Sequence, residues 1–124
     1  DSVWGVKRPG WNGGNYGIFK KAIDGNSPVG TWNLSMAKRP RALIKSGDLL
    51  LLGVMPTDMP AGNPHVAYDG KLGGSLWVCS SKSARKLAEY PLSAPVVWDG
   101  IAAAGGRIYL STADGQLICM ESDE

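Results

Sequence analysis

Apolar residues along this chain come in short runs broken by turn residues, without the three-to-four spacing of a long amphipathic helix. The runs predict β-strands over residues 31–36, 41–45, 49–54, 75–80, 86–92, 100–104, 107–112 and 116–120. Ser46-Gly47-Asp48, Gly105-Gly106 and Ala113-Asp114-Gly115 separate neighbouring runs, and glycine there supplies the positive φ of a tight turn. Residues 81–90 have helical composition but are too few for an independent helix. The predicted fold class is all-β. Leu49 to Leu52 are apolar without alternation, as in a strand buried on both faces. That predicts a sheet stacked between two others.

The strands also align with one another. RALIKSGDLLLLG (41–53) lies over GIAAAGGRIYLST (100–112), with Ala42 on Ile101, Gly47 on Gly106 and Leu51 on Leu110. GSLWVCS (74–80) lies over GQLICME (115–121), and the first copy continues through KLAEYPL as a fourth strand. The implied unit is a four-stranded antiparallel meander, the blade of a β-propeller. Ala102-Ala103-Ala104-Gly105 has the small volume that an innermost strand needs, since blades taper toward their axis.

LWVCSSKSARKLAEYPL followed by PVVWDGIAAAGGRIYLSTADGQLIC resembles the PQQ-like (quinoprotein-type) propeller repeat of large secreted or periplasmic bacterial proteins. The resemblance covers residues 41–121. Laid on the usual signature, Ala-x-Asp-x-x-Thr-Gly-x-x-x-Trp, the Ala falls on Val78, the Asp on Ser80 and the Thr on Ser83. The Gly falls on Ala84 and the Trp on Ala88, so the tryptophan that docks neighbouring blades must be replaced by another contact. The resemblance implies a partial β-propeller: residues 31–124 as blades, with one full blade (41–92) and an incomplete last blade (100–120). Residues 31–36 become the outer strand of a preceding blade, and 1–30 an irregular, basic segment rich in glycine and aromatics. A blade takes about 40 residues and a propeller about four to eight of them. The chain therefore reads as the C-terminal part of a longer propeller, or a piece completed by another chain. The expected setting is periplasmic or extracellular; no signal peptide is visible.

Composition narrows the chemistry. Glycine and proline together make about a fifth of the 124 residues, and 44% are hydrophobic, enough for a core. No apolar run approaches the ~20 residues of a membrane span. One histidine excludes any site needing two, and two distant cysteines exclude a CxxC redox pair or a four-cysteine zinc site. Cys79 and Cys119 align one residue out of register, and free buried thiols are expected. Residues 1–45 carry a net charge of +6 and the remainder −4. The overall pI near 8.6 falls short of a nucleic-acid footprint, so these cations read as solvated loop positions.

In an a-b-c-d meander, the b–c loop and the connection into the next blade emerge on one face. That face gathers Arg41, the segment ending at Trp98-Asp99, and a long loop (55–73) carrying Asp58, His65, Tyr68 and Asp69. Arg41, His65, Trp98 and Asp99 are the candidate ligand contacts. No Gly-x-Ser-x-Gly elbow accompanies His65, and the spacing of the aspartates matches no EF-hand. The expected function is a non-catalytic propeller segment that scaffolds or binds a glycan, protein or small ligand, with no cofactor evident. One alternative implied by the resemblance is a fragment of a PQQ-dependent periplasmic oxidoreductase, with calcium assisting the quinone. A second is a polysaccharide-binding or -cleaving propeller that uses the aromatic N-terminal segment.

Overall fold

The computed structural model describes residues 2–10, 14–24, 31–57 and 70–121. They form an all-β structure of antiparallel sheets; no helix occurs among the described residues, and none is long and apolar enough to cross a membrane. The first sheet comprises β1 (Ser2–Lys7), β2 (Tyr16–Ala22) and β3 (Trp32–Met36), in that order. The second is a four-strand meander of β4 (Lys38–Ser46), β5 (Leu49–Pro56), β6 (Gly74–Ser80) and β7 (Lys86–Leu92). The third comprises β8 (Val96–Ala104), β9 (Arg107–Thr112) and β10 (Leu117–Glu121), again a meander. None of these sheets is closed into a barrel.

The leucine run of β5 explains how the sheets stack. Successive strand residues point to opposite faces. Leu50, Leu52 and Val54 enter one core with Ile18, Met36 and Cys79, between the first and second sheets. Leu51 enters the other, with Ala42, Leu76, Val96, Ile101 and Leu110, between the second and third. Leu50, Leu51 and Leu52 are all buried, so the middle sheet has no solvent face at this strand. Gly53 lets the third sheet come close: a Cβ there would lie 2.8 Å from Val96 Cβ.

Indoles join the first sheet to the second. Trp4 and Lys20 pair across β1 and β2, and Lys20 pairs with Trp32 across β2 and β3. Both indole N–H groups donate to the carbonyl of buried Ser81, at 3.0 and 3.3 Å. Ser81 N–H in turn donates to the Asp48 carbonyl at 2.8 Å, tying the β6–β7 turn to the β4–β5 turn.

Three expectations need correction. Residues 1–30, expected to be irregular, contain β1 and β2. Their alternation is masked because Lys20 occupies an inward position, its ammonium 5.5 Å from the centre of the Trp4 ring. Cys119 is not buried: Ile118 and Met120 face the core from β10 while Cys119 faces away and is exposed, whereas Cys79 is buried and free. The hairpin alignment shifts by one residue. The two-residue turns fall at Gly47-Asp48 and Gly105-Gly106, which makes Leu52, not Leu51, the positional counterpart of Leu110.

Candidate ligand-binding site

Both β4 and β8 break register near their N-terminal ends. In β4, Arg41 is the extra residue between the Pro40–Val54 and Ala42–Gly53 pairs. In β8, residues 97–100 oppose a single residue of β9, between the Val96–Thr112 and Ile101–Leu110 pairs. Bulges of this kind re-aim side chains and end local pairing. Asp99 takes a left-handed backbone, φ 55°, which aspartate tolerates better than most residues. Gly100 must be glycine, since a Cβ there would sit 2.9 Å from the Val97 carbonyl oxygen.

β4 and β8 pack against each other, so the two breaks meet. They open a cleft of ≈ 290 Å³ lined by Arg41, Trp98 and Asp99, together with Arg8, which follows β1, and Tyr16 of β2. The Arg41 guanidinium lies 5.1 Å from the centre of the Trp98 ring, and that of Arg8 6.0 Å. Behind them, buried Arg39 donates from Nε to the Tyr16 hydroxyl at 2.9 Å. Trp98 is 56% exposed at the mouth.

Arg41 is poorly satisfied for a cation. Its Nη1 donates to the Met55 thioether at 3.6 Å, a weak acceptor. Its Nε–H is buried without any hydrogen-bond partner. No salt bridge reaches it from the described residues. Burial first, and the nearby Arg39 charge second, lower its pKa. The group nonetheless remains a cation at neutral pH.

Three of the four sequence-derived candidates, Arg41, Trp98 and Asp99, therefore share one cleft. His65 lies outside the described residues, as do Asp58, Tyr68 and Asp69. The described end of the long loop reaches the same side, with Gly70 set against Pro95 just ahead of β8. Arg8 and Tyr16 are not among the candidates, because the sequence places them in a segment whose cations read as solvated loop positions.

Calcium, which assists the quinone in that alternative, is poorly matched by the described residues of the cleft. A hard divalent cation takes six to eight oxygen ligands. The described lining of the cleft has one carboxylate, Asp99, among guanidinium groups. Among the described residues no group of three His, Cys, Asp or Glu is placed to hold a metal. Among the described residues, the aromatics of the N-terminal segment make contacts within the chain: Trp4 on Ser81, Tyr16 on Arg39, and Phe19 in the space left by Gly5. No protein-family model, curated protein or solved structure matches the chain.

Proposed function

We propose that this chain is a non-catalytic β-propeller segment of PQQ-like repeats, a rigid scaffold that binds a ligand at the cleft between β4 and β8. The observation that carries the binding role is the meeting of two register breaks, which aim Arg41 and Trp98 into one space at the cost of local pairing. Guanidinium groups and an exposed indole are binding chemistry: fixed charge, hydrogen-bond donors and a flat apolar surface.

Two features support the propeller reading. Consecutive meander sheets stack face to face, and β4 and β8, their first strands, lie against each other. Ala84, where the repeat signature has glycine, has a left-handed backbone with φ 64°. The ring would be completed by further blades of the same protein or by another chain, in the periplasm or outside the cell.

A small-molecule fragment library followed by nuclear magnetic resonance tests the binding role. Hits should shift the signals of Arg8, Arg41 and Trp98 together, and the R41A/W98A double variant should abolish those shifts while the chain stays folded. Hits that map elsewhere, or shifts that survive the double variant, would refute the reading.

A further inference from the structure

Resting on the reading of this cleft as a binding site, we infer that its ligand is a carboxylate-bearing small molecule of about one sugar ring in size. Among the described lining residues Arg8 and Arg41 are cations and Asp99 is an anion, and the Arg39 guanidinium stands behind them, so positive charge is in excess. An anion matches that excess, and a ring-bearing carboxylate, unlike inorganic phosphate, also has a body to set against exposed Trp98.

The donor geometry agrees. Guanidinium groups engage carboxylates through paired N–H donors, and such charge-assisted hydrogen bonds are stronger than neutral ones. Arg41 has for acceptor only a thioether, and its buried Nε–H has none. A carboxylate set against the Nη groups would supply the oxygen acceptor that the chain itself withholds. Nearby, Trp98 leaves more than half its surface open to receive the body of the ligand. At ≈ 290 Å³, the cleft is at the small end of ligand pockets and holds about one ring.

Calorimetric titration of the intact chain with glucuronate, glucose and inorganic phosphate tests the inference. Glucuronate is expected to bind at least tenfold more tightly than either of the others. R41K, which keeps the charge but loses the planar fork, should cost glucuronate about tenfold while unfolding stays at the wild-type denaturant concentration. D99N should tighten glucuronate severalfold and bring phosphate up toward it. Equal affinities for glucuronate and glucose, or a preference for phosphate, would overturn the carboxylate assignment alone if W98A abolishes the binding seen. If no probe binds, or if W98A and R41K leave every affinity unchanged, the cleft reading falls with it.

Discussion

Replacing Gly53 by alanine puts the stacking of the second and third sheets to a test of sign. In an isolated strand the change should help, because glycine costs roughly 0.5–1 kcal/mol relative to alanine in a strand interior. Here the new Cβ would lie 2.8 Å from Val96 Cβ and 3.1 and 3.2 Å from its two methyls. Ordinary carbon contacts are about 3.5–4.0 Å, so the sheets must separate by several tenths of an ångström across a buried seam. Such overpacking costs typically about 1–3 kcal/mol, and after the strand benefit a net loss of about 1–2 kcal/mol is expected. Urea unfolding followed by tryptophan fluorescence reads the loss directly. V96A removes the two crowding methyls, so the penalty of G53A should shrink by about 1 kcal/mol in that background, a coupling that only touching residues give. A G53A chain as stable as wild type, or more stable, would refute the stacked arrangement at this seam.

Other consequences follow from the same packing. L50A and L51A, neighbours in sequence but in separate cores, should each destabilise by about 2–5 kcal/mol in urea unfolding. W4F or W32F alone leaves the Ser81 carbonyl one indole donor and should cost about 1 kcal/mol; the double variant strands it and should cost more than the sum of the two. A colourless thiol reagent should modify Cys119 alone in the folded chain and both cysteines in denaturant, because Cys79 is enclosed and burial raises its pKa. Glu89 accepts from Lys86 and Trp77, which lower its pKa, so its stabilising contribution is present above the ordinary carboxylate value of about 4.3 and is lost as pH falls through the lowered one. Glu89 is exposed, so the effect is small: E89Q should slightly flatten the acid limb of the stability curve and change little at neutral pH.

The strands that were legible are those whose pattern is local. The leucines of β5 announced two buried faces because a strand between two sheets needs apolar side chains on both. β1 and β2 escaped because their inward face is not purely apolar. Lys20 lies in it over Trp4, and Gly5 faces outward to make room for Phe19, whose ring would meet a Cβ at 2.5 Å. Neither residue types nor spacing show such pairings before the sheet forms. The cleft was partly legible for the same reason. Arg41 and Trp98-Asp99 sit at connections that a meander places on one side, whereas Arg8 and Tyr16 reach it only because the first sheet packs on β4. The orphaned Nε–H of Arg41 is a property of the packed chain and has no sequence signal.

The central claim is that two register breaks build a carboxylate site around Arg41, and the Arg41 guanidinium reports on it most directly. In a titration with glucuronate followed by arginine side-chain nuclear magnetic resonance, the Arg41 Nη–H signals should move downfield as they gain an oxygen acceptor. The Trp98 indole signal should follow the same binding curve, while those of Trp4 and Trp32, already bonded to Ser81, stay in place. An Arg41 signal that stays fixed while other tryptophans respond would contradict the account.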